Sequence, residues 1–160
     1  MNDISETRIS RHSTLVAIAI VSVIGISSLS FVISRYVIDQ EKPGKEATLR
    51  LANEAYDRGD FSNASYLYER YITTFDKNDV SVKIDYAYSL HNTGKSEAGL
   101  SILKEVLGIQ PRNAFALFNI AVIYYRDGNK AKAKEWMNRC VINGDNTEIV
   151  NKARALLEQM

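Results

Sequence analysis

Apolar residues follow two different patterns along this chain. From residue 13 to residue 34 they dominate, and no Asp, Glu, Lys or Arg interrupts them. After residue 44 they recur at spacings of three and four positions, interleaved with polar residues. The second pattern is typical of amphipathic helices that pack through one face. The chain is therefore predicted to be all-α, with a transmembrane helix followed by a helical domain.

The apolar stretch is long enough to cross a lipid bilayer. Its core, 15–34, would span roughly 30 Å as a helix. Arg8 and Arg11 precede it, while Arg35 and Tyr36 follow it, where a snorkelling charge and an interfacial ring belong. We assign 1–12 to an N-terminal tail, 13–38 to a single membrane-spanning helix and 39–44 to a polar linker that ends in Pro43-Gly44.

Two other interpretations of this stretch stay open. A buried core helix is one, although a segment that is apolar all round and bounded by charges favours lipid. A cleaved signal peptide is the other, because Ser28-Leu29-Ser30 resembles a small-x-small cleavage site. The stretch is longer than the ~7–15 apolar residues usual in signal peptides. Cleavage would release a secreted or periplasmic protein.

The orientation in the membrane is also open. Arg35, Lys42, Lys45 and Arg50 lie on the C-terminal side of the apolar stretch, which is more positive charge than lies on its N-terminal side. The positive-inside rule then favours a cytoplasmic C-terminal domain. A short tail followed by one long apolar span is, however, also the layout of signal anchors, which place that domain outside.

The second half of the chain carries an internal repeat. Gly59, Gly94 and Gly128 are separated by 35 and 34 residues. A small residue stands five positions after each glycine and an alanine seven positions before it. These small residues are Ala64, Gly99 and Ala133 after the glycines, and Ala52, Ala87 and Ala121 before them. The pattern predicts helix hairpins in which glycine ends the first helix and small residues let the two helices approach closely.

This skeleton resembles the tetratricopeptide-repeat (TPR) family. The resemblance implies an α-solenoid over 45–160. Its units are 45–78, 80–113 and 114–147, with Asp79 as an inserted residue and 148–160 as a polar capping helix. An ordinary helical bundle with coincidental glycines is the alternative.

The chain departs from the family pattern at several places. Only Pro111 keeps the proline that ends a family unit, because Asp76 and Asp145 stand at the matching positions. Gly99 replaces the second alanine of the middle unit. Thr48, Lys83 and Leu117 occupy the position of the family's early tryptophan.

The resemblance implies a concave groove, lined by the first helix of each unit, that binds a peptide or helix of a protein partner. The positions assigned to this groove are Leu49, Asn53 and Tyr56 in the first unit, Ile84, Tyr88, His91 and Asn92 in the second, and Phe115, Phe118, Val122, Tyr125 and Arg126 in the third. Asp57 adjoins the first group, and Lys152 of the capping helix extends the surface.

Composition and charge narrow the classes of function. The formal net charge is +1 and no basic patch is visible, so a nucleic-acid partner is not expected. Cys140 is the only cysteine and His91 the only histidine of the helical domain. Metal sites and nucleophilic relays need more partners than these, so we expect no metal, no cofactor and no enzymatic activity. We interpret Asp57, Asp60, Asp85 and Asp127 as solvated or capping carboxylates near helix ends and turns.

The sequence therefore predicts an adaptor or scaffold, anchored in the membrane, that helps to assemble or regulate a larger complex. The layout is that of bacterial inner-membrane proteins with one span, and mitochondrial import receptors share it. A self-associating structural protein is the second hypothesis, because the ends of a short helical array can stack into a homo-oligomer.

Overall fold

The computed structural model describes residues 42–160, which contain seven helices and no strand. The helices are α1 (Lys45–Asp57), α2 (Phe61–Thr74), α3 (Val80–Asn92), α4 (Ser96–Ile109), α5 (Ala114–Arg126), α6 (Lys130–Asn143) and α7 (Thr147–Glu158). The tail 1–12 and the predicted span 13–38 lie outside the described residues. None of the seven helices combines the length and the apolar character needed to cross a bilayer.

Each hairpin turns at one of the three periodic glycines. Gly59, Gly94 and Gly128 have left-handed φ angles of +73°, +82° and +83°, and the prediction that a glycine ends the first helix of each hairpin is confirmed. At each turn the glycine N–H and the next N–H donate back to carbonyl oxygens in the last turn of the preceding helix. This double closure is a Schellman motif, which satisfies carbonyl groups that a helix end leaves unpaired.

Short polar side chains start most of the helices. Asp60, Asp79, Asn113, Asn129 and Asn146 each accept a hydrogen bond from the backbone N–H three positions ahead. Such N-caps satisfy one of the free donors at a helix start. Asp79, the inserted residue between the first two units, is therefore the N-cap of α3.

The small residues of the repeat lie inside the hairpins, as predicted. The alanines that stand seven positions before each glycine, and the two that stand five positions after, are fully buried. Gly99 marks an even closer approach, because a Cβ added there would lie 2.5 Å from the carbonyl oxygen of Ala87. The substitution of glycine for the family's alanine therefore follows from the tight crossing of α3 and α4.

The helices pack in the order in which they occur along the chain. α1 pairs with α2, α3 with α4 and α5 with α6, while α2 packs on α3, α4 on α5 and α6 on α7. The first helices also stack, α3 on α5 and α5 on α7. This order confirms an all-α solenoid of hairpins and argues against a closed bundle. Residues 44–160 form one compact unit, and α7 closes it with Ile149 and Ala153 buried.

Both aspartates at the family's proline position tie a hairpin to its own start. Lys45 Nζ lies 3.3 Å from Asp76 Oδ2, and the backbone N–H of Ala114 donates to Asp145 Oδ1 at 2.9 Å. The backbone N–H of Asn78 together with Lys45 holds the pKa of Asp76 below its usual range. The departures from proline thus have a structural role.

Candidate functional site

The predicted groove positions lie on α1, α3 and α5, the first helices of the three units. We call the surface that their solvent-facing side chains form the first-helix face. Its members fall into an aromatic part between the first two units, a polar bridge between the second and third, and an apolar part on the third.

The aromatic part joins the first two units. Tyr56 lies 5.8 Å from Tyr88 between ring centroids, and Phe61 lies 5.6 Å from Tyr56 and 5.8 Å from Tyr88. Tyr68 meets Tyr56 edge-on at 6.3 Å, and its hydroxyl donates to Asn53 Oδ1 at 2.9 Å. Edge-on and tilted rings at these distances attract one another beyond simple burial. Phe61 and Tyr68 lie on α2, whereas the predicted groove positions all lie on first helices.

Asp85 lies beside these rings in the middle of α3. Its carboxylate is half-buried, and it forms no hydrogen bond or ion pair with any residue of 42–160. Burial, and then the charges of Asp57 and Asp79, raise its pKa to about 6. Burial raises the pKa of both Tyr56 and Tyr68, and the negative charge of Asp85 adds to the rise. The interpretation of Asp85 as a carboxylate near a helix end is therefore wrong.

A polar bridge connects the second unit to the third. Arg126 donates from a guanidinium nitrogen to Asn92 Oδ1 at 2.9 Å and lies 5.7 Å from the ring centroid of Tyr88. Asn92 in turn donates from Nδ2 to the backbone oxygen of Tyr88 at 2.8 Å. Three predicted groove residues from two units are thus brought together in one contact network.

The third unit carries the most exposed apolar side chains of the face. Phe115 and Tyr125 are each 46% exposed, although both are large and aromatic. Phe118 and Val122 are half-buried on the same helix. Val122 and Tyr125 also line a small cavity of about 50 Å³ that Met137 of α6 helps to enclose.

The remaining predicted positions differ in exposure. Ile84 and His91 are 6% and 9% exposed, so little of either side chain faces solvent. Leu49 is half-buried against the apolar cluster of the first unit, and Asn53 is exposed. The face available to a partner is therefore made mainly by the aromatic residues, Asn53, Asp85 and the Asn92–Arg126 bridge.

His91 belongs to a Ser–His–Asp group that the sequence did not reveal. Its Nδ1 lies 2.9 Å from Ser96 Oγ, and Ser96 donates to Asp127 Oδ1 at 3.2 Å. Burial lowers the pKa of His91. In a nucleophilic relay the histidine lies between serine and carboxylate and uses one ring nitrogen for each. Here the serine lies between the other two, so the group connects the turn of the second unit to that of the third.

Cys140 is a buried thiol. It is fully inaccessible, and its Sγ lies 3.5 Å from the backbone oxygen of Ala114. Burial raises the pKa of Cys140 to about 11, which opposes formation of a reactive thiolate. Within residues 42–160, no cluster of three or more His, Cys, Asp or Glu side chains could hold a metal ion.

The opposite side of the stack has a groove between α2 and α4. Two cavities of about 560 Å³ and 410 Å³ open there and share Tyr86 and Ile102. Lys83, a buried residue at the family's tryptophan position, pairs with Glu105 beside this groove. The lining is mixed, with Lys95 and Glu69 among serine side chains.

Comparison with known proteins supports the architecture. Residues 116–141, within the third hairpin, match the family model described as tetratricopeptide repeat. The fold is similar to the crystal structure of the P58(IPK) TPR domain, with a TM-score of 0.55 and 22% sequence identity over 72% of this chain. The chain spans about a third (34%) of the length of that structure. No curated protein sequence matches the chain. The described residues thus have the fold of a TPR domain, and their third hairpin matches the repeat itself.

Proposed function

We propose that this chain is a membrane-anchored TPR protein that binds a protein partner on its first-helix face and catalyses no reaction. The partner contributes a peptide segment or a helix that lies across α1, α3 and α5. In this role the protein is an adaptor that holds its partner beside the membrane during the assembly or regulation of a complex.

The exposed aromatic side chains of α5 carry this proposal. Phe115 and Tyr125 leave nearly half of their surface in solvent, and Phe118 and Val122 lie on the same helix. Burial of such side chains in a partner interface is favourable, and aromatic residues are enriched at the centres of interfaces. Tyr88 and Arg126 continue the surface toward α3 with groups that are also frequent in binding hot spots.

The anchor is part of the proposal. The apolar sequence of residues 13–38 is long enough for a lipid-spanning helix, and the domain begins a few residues later at Lys45. Tethering concentrates the domain and any co-resident partner in the same thin layer, so a modest affinity of the face is sufficient.

Affinity capture from native membranes tests the interaction. We expect the double variant Phe115→Ser and Tyr125→Ser to lose most of the specifically captured partner, because each substitution removes apolar area from the face. Ile109 and Ile142 provide the matched control, since they are 57% and 77% exposed but lie on second helices. If Ile109→Ser and Ile142→Ser reduce the captured partner equally, nonspecific hydrophobic adsorption, and not the first-helix face, causes the capture.

Self-association is the second candidate, and the same control residues favour it. Ile109 is the last residue of α4 and Ile142 the next-to-last residue of α6, and both are exposed although they are large and apolar. Light scattering of the detergent-solubilised full chain tests this candidate. Self-association is supported if the unaltered chain forms a discrete oligomer and the double variant Ile109→Ser and Ile142→Ser is a monomer. It is excluded if the unaltered chain is itself a monomer.

A further inference from the structure

Asp85 is a half-buried, partly desolvated carboxylate of the first-helix face, and no residue of 42–160 neutralises it. It lies one helical turn before Tyr88 on α3, so the two side chains share a face of the helix. Asp57 stands at the end of α1, next to Tyr56, and its charge acts on Asp85. Two carboxylates and two tyrosine rings therefore converge between the first two units.

The chain itself provides an example of how a cation is bound beside these rings. The guanidinium of Arg126 lies 5.7 Å from the centroid of Tyr88 while it donates to Asn92. Aromatic rings attract cations through their negative faces, and the attraction grows when the cation is partly desolvated. Arg126 is engaged at the α5 side of Tyr88, whereas the carboxylate of Asp85 has no cationic partner in 42–160.

We propose that the junction of the first two units is a subsite for a lysine or arginine side chain of the bound partner, with Asp85 as its ion-pair acceptor and Tyr56 and Tyr88 as its aromatic contacts. This inference rests on the proposed function, and it assigns a basic segment to the partner. An acidic segment would add negative charge to two carboxylates that already repel each other, and a purely apolar segment would bury Asp85 without a partner. Neither segment supplies the electrostatic attraction with which a cation would offset the cost of desolvating Asp85.

Selection from a random peptide display library on the full chain, held in lipid nanodiscs, tests the inference. We expect the peptides selected by the unaltered chain to be enriched in Lys or Arg at one position. Asp85→Asn should abolish that enrichment and weaken a selected peptide by about tenfold, the order expected for loss of one partly desolvated charge pair. The variant is not expected to unfold, because it removes an unpaired, desolvated charge.

Glu135→Gln is the matched control, since it neutralises one exposed carboxylate on α6. Basic enrichment that persists in Glu135→Gln and disappears in Asp85→Asn supports the subsite. Selected peptides without basic enrichment, or an equal loss in both variants, would overturn the subsite and leave the proposed function standing. If every selected peptide still binds the double variant Phe115→Ser and Tyr125→Ser, or if no peptide is selected at all, the result would count against both proposals.

Discussion

At the scale of single residues, Asp85 shows what a linear sequence conceals. An aspartate on an amphipathic helix is usually solvated, and nothing adjacent in the chain distinguishes this one. Its environment comes from Tyr56 and Tyr68, which belong to the preceding unit. The desolvation is therefore a product of packing between units, and only the assembled stack reveals it.

This environment predicts an unusual dependence of stability on pH. The pKa of Asp85 rises from 3.8 to about 6 on folding, so the folded state binds the proton more tightly than the unfolded state. The penalty on stability is absent below pH 4, grows as the pH rises to 6 and is then constant. Asp85→Asn should therefore stabilise the protein at pH 7.5 by an amount on the order of 1–2 kcal/mol, which allows for partial exposure.

Urea unfolding of the detergent-solubilised chain at several pH values measures this difference. The gain from Asp85→Asn should shrink steadily between pH 6 and pH 4. His91 changes stability in the opposite direction, since its lowered pKa makes protonation destabilising below about pH 6.5. Because both proteins contain His91, its effect cancels in the comparison. A gain that is independent of pH would contradict the assigned environment of Asp85.

At the scale of helices and turns, the sequence pattern predicted the structure best. The three glycines mark the turns because a left-handed residue is a local requirement, which a local sequence can reveal. The N-cap at Asp79 was not predicted, although its contact is local and reaches only three residues ahead. The closures through Asp76 and Asp145 were not predicted because each joins residues 31 positions apart. The requirement for glycine at position 99 was not predicted either, because it arises from contact with the carbonyl group of Ala87 on the neighbouring helix.

A pair of glycine substitutions tests this reading of the turns. Gly128→Ala should destabilise the protein by roughly 1–2 kcal/mol, because alanine is strained at a φ of +83° although space is available. Gly108 lies within α4 and also faces open space. Gly108→Ala should be neutral or stabilising by up to about 1 kcal/mol, since alanine favours the helix. Urea unfolding followed by circular dichroism compares the two, and equal effects would contradict the assigned role of Gly128.

At the scale of the whole molecule, the repeat period alone predicted a stack of hairpins in sequential order, and the packing of α1 to α7 confirms it. The candidate site was predicted less well. The pattern identified the helices that form the face, but not the burial of Ile84 and His91 or the contributions of Phe61 and Tyr68 from α2. These depend on how neighbouring units fit together, which a single sequence does not encode position by position.

The proposed membrane anchor leads to a prediction at this scale. Ile24→Arg places a charge at the centre of the predicted span and should make insertion less favourable by about 2.5–3.5 kcal/mol. We expect a substantial part of the variant to leave the membrane fraction during a carbonate wash. Ile24→Leu is the control and should remain. If Ile24→Arg stays fully bound, residues 13–38 are not the anchor.

The central claim is that the first-helix face holds a protein partner, and site-specific photo-crosslinking in native membranes tests it most directly. A photoreactive phenylalanine analogue is placed at Phe115 or Tyr125 on the face, and at Tyr66 or Ile142 on second helices, all of which are exposed. We expect one discrete crosslinked partner from the first two positions and none from the other two. Crosslinks that form equally from all four positions, or only from the second helices, would contradict it.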